Sequence, residues 1–178
     1  MLDSRQKRLI MDVSLQKIPD DVFIKEYPVK AECVGDLISN IMSFALHEKD
    51  EKGVEYALYL AARFGFPKNY ENLLISALDS PDHCSHDNIL SVMEELELRD
   101  DAVVDALYKG ALSSFDYLEG DREDGLYGFN WNCIYVLGRI GGDYATKKLM
   151  ELTNSEVHEI SEKARHVIEK YKLKTGHL

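Results

Sequence analysis

The residue types best suited to chemistry lie together in residues 83–87, which read His-Cys-Ser-His-Asp. Two histidines three positions apart, with a cysteine and an aspartate beside them, are ligand types that zinc prefers. A zinc site needs further ligands in a suitable arrangement, and no second cluster stands out in the chain. We therefore expect no metal here, and interpret the segment as a polar loop that orders a turn between helices or contacts a partner.

Catalytic arrangements have weaker support in the sequence. Cys84 and His86 could form a nucleophile and its base, but neighbours in sequence need not reach each other, and no oxyanion hole is indicated. The acidic pair at residues 100–101 is typical of a solvated helix end. The glycines within residues 138–142 follow a helical pattern and not a strand, which is the wrong context for a phosphate-binding loop. We expect no enzymatic activity and no cofactor.

Aromatic and acidic side chains occur together in residues 116–131. A surface that binds a basic protein needs both kinds of side chain. The alternative is that Tyr127 and Trp131 belong to the core and the acids are simply solvated. The candidate partner-binding residues from this segment and from residues 83–87 are Glu119, Asp121, Glu123, Asp124, Tyr127, Trp131, His83, His86 and Asp87.

The chain of 178 residues carries a formal net charge of −11, from 32 acidic and 21 basic residues. Such a surface repels phosphate backbones, so we expect no nucleic-acid partner. It favours a basic protein partner, although acidity alone also serves solubility. The C-terminal part is locally basic, and we attribute this to favourable interaction with a helix dipole. The basic residues concerned are Lys163, Arg165, Lys170, Lys172 and Lys174.

The cysteines are too few and too widely spaced for a disulfide framework: Cys33, Cys84 and Cys133 are an odd set. Buried thiols in a reducing compartment are the simpler interpretation. Residues 1–18 lack a secretory apolar segment, and no stretch has the length of apolar residues that a membrane span needs. We expect a cytoplasmic protein without a membrane partner.

The elements that must position these residues are helices. Apolar residues recur at three- and four-residue steps along most of the chain, and no alternating strand pattern occurs. Asp20 or Asp21 is a candidate cap for the second helix, and residues 119–124 are predicted to be an exposed loop. The predicted helices are residues 4–17, 22–27, 31–46, 54–64, 70–78, 89–96, 102–112, 127–140, 144–152 and 157–171.

Two of these helices end alike. Residues 59–65 read YLAARFG and residues 135–141 read YVLGRIG, and each is followed by a polar step and another amphipathic helix. A weaker third copy lies at residues 92–102, and an insertion at residues 119–124 would explain the longer gap to the last copy. Helix pairs of this size bury their apolar faces by stacking on their neighbours, with atypical ends as caps. A non-repetitive helical bundle is the alternative.

These residues also carry a family resemblance. Residues 134–141 (IYVLGRIG), followed by Ala145 and residues 148–152 (KLMEL), resemble a HEAT-like repeat. Other segments occur in the order found in small bacterial HEAT-repeat immunity proteins of polymorphic-toxin and contact-dependent-inhibition systems. In the related pattern a Trp precedes the first His of the His-x-x-His segment, whereas in this chain Asp82 stands before His83. The segments are residues 23–28 (FIKEYP), 54–58 (VEYAL), 83–87 (HCSHD) and 106–109 (ALYK).

Together, the repeat and the resemblance predict an all-α, HEAT-like α-solenoid of stacked antiparallel helical hairpins. We expect one domain over residues 1–178, with an N-terminal helical cap (1–30), helical repeats (31–173) and a tail (174–178). The resemblance implies an immunity protein that binds a basic toxin domain, as a monomer or 1:1 complex, and covers its active or substrate-binding surface. One alternative is a general scaffold or regulatory adaptor. Another is an enzyme, either a HEAT-like lyase or a DNA glycosylase.

Overall fold

The computed structural model describes residues 2–27, 29–120 and 125–173, and these residues form helices and no strand. They group into two compact units, Met1–Ser85 and His86–Leu178. The first unit contains α1 (Ser4–Ser14), α2 (Asp20–Glu26), a 3-10 turn (Ala31–Cys33), α3 (Val34–Glu48), α4 (Glu51–Phe64) and α5 (Glu71–Asp79). The second contains α6 (His86–Glu95), α7 (Asp101–Gly110), α8 (Asp116–Glu119), α9 (Tyr127–Ile140), α10 (Gly142–Leu152) and α11 (His158–Lys170).

The predicted all-α class is confirmed for the described residues, and the longer helices lie close to their predicted positions, whereas the short α8 was not predicted. The predicted domain layout, with its cap, repeats and tail, stays a prediction. Several boundaries differ by about one turn. At α4, residues 51–53 lie outside the predicted helix 54–64 and instead begin the helix. Asp50 caps this helix by accepting the Gly53 N–H at 3.2 Å, and Lys49 adopts the left-handed conformation that ends α3.

In the first unit, α3 and α4 form a close hairpin, α1 packs on α4 and α2, and α3 also packs on α5. Gly53 lies inside this hairpin, where a Cβ atom would come within 2.6 Å of the Ala45 Cβ. A larger residue would therefore push the two helices apart. Phe23 is fully buried, and its ring lies 5.4 Å from the ring of Phe64.

In the second unit, α9 contacts every long helix around it. It packs on α6, α7, α10 and α11, while α10 also packs on α7 and α11. Gly138 lets α11 approach α9 closely, because a Cβ atom at this position would collide with Val167 and with the ring of Tyr171. Leu107, Leu137 and Val167 are fully buried in this core.

The two repeat-like stretches end in the same way in the structure. Arg63 near the end of α4 binds Asp20 of α2 (Nε to Oδ1, 2.8 Å), and Arg139 near the end of α9 binds Glu94 of α6. Each helix is then stopped by a glycine with a positive φ, 94° at one site and 62° at the other. Asp20 is thus an ion-pair partner and not a cap, since α2 has no side-chain cap.

Candidate functional site

His83 lies in the turn that follows α5 and is 2 % exposed. Its Nδ1 accepts the Ser85 N–H at 3.1 Å, so the other nitrogen, Nε2, carries the proton and donates to the Ala77 carbonyl at 2.7 Å. Burial lowers the pKa of His83 below its ordinary value, which keeps the ring neutral. The structure therefore gives His83 a local role in ordering this turn.

His86, the first residue of α6, is fully buried. Its ring stacks on Phe115 with centroids 3.9 Å apart, meets the edge of Phe129, and places Nδ1 2.8 Å from the Tyr117 hydroxyl. As placed, both imidazoles are covered by protein atoms, so a direct partner contact by either ring has no geometric support. Within residues 2–27, 29–120 and 125–173, no group of three or more His, Cys, Asp or Glu side chains is placed to hold a metal ion.

Asp87 differs from the two histidines because its side chain is exposed. It lies on the first turn of α6 and accepts a hydrogen bond from Asn132 of α9 (Nδ2 to Oδ1, 3.2 Å). The two residues stand at one end of a cavity of about 270 Å³ between these helices, which we call the α6–α9 groove. Its lining residues are Asp87, Leu90, Ser91, Glu94, Asn132, Tyr135, Val136 and Arg139.

Trp131 lies beside this groove on α9 and is half-buried. Lys163 of α11 places its Nζ 4.1 Å from the centre of the indole ring and 4.8 Å from that of Tyr135. The ring of Tyr127 lies parallel to the indole at 6.3 Å. The indole Nε1 is buried and has no hydrogen-bond partner among the described residues. Trp131 thus belongs partly to the packing of α9 on α11 and partly to the surface.

A second, wider depression of about 560 Å³ lies on the other side of Trp131, along α11. It is shallow, and three carboxylates contribute to it. Its lining residues are Trp131, Glu159, Glu162, Lys163, Arg165, His166 and Glu169. The outward stripe of α9, which consists of Trp131, Asn132, Tyr135 and Arg139, therefore runs between two depressions. One lies towards α6 and the other towards α11.

The predicted acidic loop is described only in part. Glu119, at the end of α8, is exposed and accepts a hydrogen bond from the Ser114 hydroxyl at 2.9 Å. Asp121, Glu123 and Asp124 lie outside the described residues. Of the nine candidate residues, the structure brings Tyr127 and Trp131 together on α9 and places Asp87 beside them through its hydrogen bond with Asn132.

The sequence reasoning did not assign Asn132, Tyr135 or Lys163 to a surface site. The signal for Tyr135 was its position one helical turn after Trp131, which places both side chains on one face of a helix. Lys163 was attributed to the helix dipole, but it lies in the middle of α11 with its ammonium over aromatic rings. Arg165 donates to the Thr153 carbonyl at 2.8 Å, across the turn that precedes α11.

These observations define an all-helical protein whose second unit presents a polar and aromatic surface around α9. No family model, curated protein or solved structure shows a significant match to the chain. None of the described helices combines the length and apolar character that a bilayer crossing requires.

Proposed function

We propose that the chain is a HEAT-like α-solenoid in which each unit contains two layers of helices. In the second unit, α7 and α10 would form one layer and α6, α9 and α11 the other. The packing pairs support this arrangement, since α7 contacts α10 while α9 contacts both α6 and α11. In the first unit the corresponding layers would be α3 with α5 and α1 with α4, which are also packing pairs. Matching Arg–acid pairs at Arg63 and Arg139 add further support.

The function that the geometry supports best is protein binding. The observation that carries this proposal is the outward stripe of α9, which holds Trp131, Asn132, Tyr135 and Arg139 between two depressions. Aromatic and arginine side chains are enriched at protein–protein interfaces and among the residues that dominate binding energy. Long side chains already held by neighbours, such as Lys163 over Trp131, lose less conformational entropy when a partner binds.

We propose further that this partner is a basic toxin domain and that the chain is an immunity protein. The net charge of −11 and the carboxylates Asp87, Glu159, Glu162 and Glu169 beside the α9 stripe favour a cationic partner. If the toxin is a nuclease, these carboxylates would occupy the surface that normally meets phosphate groups. This step rests on the sequence resemblance and on charge, and it predicts a 1:1 complex.

The test is co-expression with the product of an adjacent toxin gene, followed by growth measurement and co-purification. The proposal predicts protection of the cells and a stable complex. Trp131→Ala should weaken binding by roughly tenfold or more if the indole is a central contact. Tyr144→Ala changes an aromatic residue on α10, in the proposed opposite layer, and should leave affinity unchanged. A protein that neither binds nor protects against that toxin would refute the immunity function for the pair, and a different captured partner would favour the scaffold alternative.

A further inference from the structure

We propose that the α6–α9 groove receives one arginine side chain of the protein partner. The identity of the occupant as part of a partner protein rests on the proposed function, while the chemical preference of the groove rests on its own geometry. The proposal thus names the chemistry by which this surface would recognise a basic protein.

The size of the groove suits a single side chain. Its volume of about 270 Å³ lies below the range of about 300–1,000 Å³ that is typical of small-molecule pockets. The buried side chains of Leu90 and Val136 line it with apolar atoms. Ser91 and Asn132 contribute polar groups from the two facing helices. Such a groove accommodates the apolar stem of a long cationic side chain as well as its charged end.

The charges of the groove favour a cation. Glu94 is already paired with Arg139, which leaves Asp87 as the lining carboxylate without a cationic partner among the described residues. Asn132 holds the Asp87 carboxylate in place by donating to one of its two oxygens, Oδ1. An incoming cation would therefore meet a carboxylate that is already oriented, and little additional ordering would be needed.

The acceptors of the groove match a guanidinium better than an ammonium group. The Ser91 hydroxyl donates to the Asp87 carbonyl at 2.9 Å, so its oxygen can still accept a hydrogen bond. The amide of Asn132 donates through Nδ2, which keeps its carbonyl oxygen as an acceptor. Acceptors from two helices therefore line the same groove as the Asp87 carboxylate. A planar guanidinium, with five N–H donors in a fixed fork, can address several separated acceptors at once, whereas a lysine ammonium acts as a compact point charge.

The experiment is an NMR titration of the full chain at constant ionic strength, with Nα-acetyl-arginine amide and Nα-acetyl-lysine amide as probes. We expect the arginine probe to shift the side-chain amide signal of Asn132 and the backbone amides around Asp87 and Ser91. The lysine probe should bind more weakly. Asp87→Asn should weaken arginine binding by about 1.5-fold to fivefold, the range of an exposed ion pair.

Asp143→Asn is the matched control, because Asp143 occupies the same second position in α10 that Asp87 occupies in α6. It should leave the titration unchanged. Equal shifts with both probes, an arginine affinity that is unchanged in Asp87→Asn, or shifts confined to other surfaces would overturn the proposal. Free arginine provides a further arm: markedly tighter binding than the blocked amide would indicate an amino-acid site and reject a docking site for a side chain of a partner.

The outcome is separable from that of the proposed function because the titration uses no partner protein. Failure of the groove to prefer the arginine probe would leave toxin binding through Trp131 intact. Conversely, the absence of a toxin partner would leave a positive titration standing. With a toxin domain that binds, each interface arginine can be replaced by lysine in turn. For the arginine that occupies the groove, the resulting loss of affinity should not be increased further by Asp87→Asn, which is the signature of a direct pair.

Discussion

The close approach of α11 to α9 at Gly138 makes a strong prediction about a very small substitution. Gly138→Ala adds one methyl group at a point where it would collide with the Val167 side chain and lie 2.8 Å from a ring carbon of Tyr171. Replacing a helical glycine by alanine normally stabilises a helix by about 0.5–1 kcal/mol. Overpacking a buried site costs about 1–3 kcal/mol. We expect the collision to dominate and to lower the free energy of unfolding by about 1–2 kcal/mol.

Gly128→Ala in the same helix is the matched control. Among the described residues, no atom beyond the adjacent backbone of the same helix lies within 4 Å of a Cβ placed there, and the φ of Gly128 is not positive. We therefore expect this variant to be unchanged or more stable by up to about 1 kcal/mol. Urea unfolding followed by far-UV circular dichroism measures both variants, and an unchanged m-value would show that the same transition is compared.

A second mutation identifies the cause of the effect. Val167→Ala removes the methyl groups that would meet the new Cβ, so it should cost less stability in the Gly138→Ala background than in the wild type. The coupling should be about 1 kcal/mol or more in favour of the double variant. A Gly138→Ala protein as stable as Gly128→Ala would show that α9 and α11 do not approach as closely as described, and would refute the reasoning.

Three further predictions concern the core, the pH dependence and the loop. Leu137→Ala should destabilise the protein by about 2–5 kcal/mol in the same urea assay, since the side chain is fully buried; a loss under 1 kcal/mol would contradict its place in the core. Because burial lowers the pKa of His83 in the folded state, the unfolded state binds the proton more readily, so stability falls as the pH drops from the ordinary pKa of His through the lowered one. The free energy of unfolding should therefore differ less between pH 7 and pH 5 in His83→Gln than in the wild type. An equal difference in the two proteins would contradict the lowered pKa of His83. Reversal of Asp121, Glu123 and Asp124 to Lys should weaken binding to a basic partner while the melting temperature stays nearly constant, and unchanged affinity would remove the loop from the interface.

The helices could be predicted from the sequence because their signal is local. Apolar spacing placed α9 at residues 127–140, which are the bounds of this helix in the structure. The start of α4 was missed because Gly53 and the charged residues before it look like a linker. The Asp50 cap and the close fit of Gly53 against Ala45 instead make these residues the first turn of a helix.

The candidate site was less predictable because it depends on contacts between distant residues. Exposed and buried histidines look alike in a sequence, and His86 is buried only because Phe115 and Phe129 pack around it. Asn132 belongs to the candidate site because it donates a hydrogen bond to Asp87, which lies 45 positions earlier on another helix. Helical periodicity states which face a residue lies on, but it does not state which neighbouring helix covers that face.

The most direct test of toxin binding is amide hydrogen exchange of the full chain, alone and with the product of an adjacent toxin gene. We predict a stable complex in which exchange slows along the outward parts of α6, α9 and α11, and in which Asp87→Asn and Trp131→Ala reduce that protection. A complex whose protection is confined to other helices, or the absence of any complex with that toxin, would contradict the proposal that this chain acts by binding a toxin through the surface around α9.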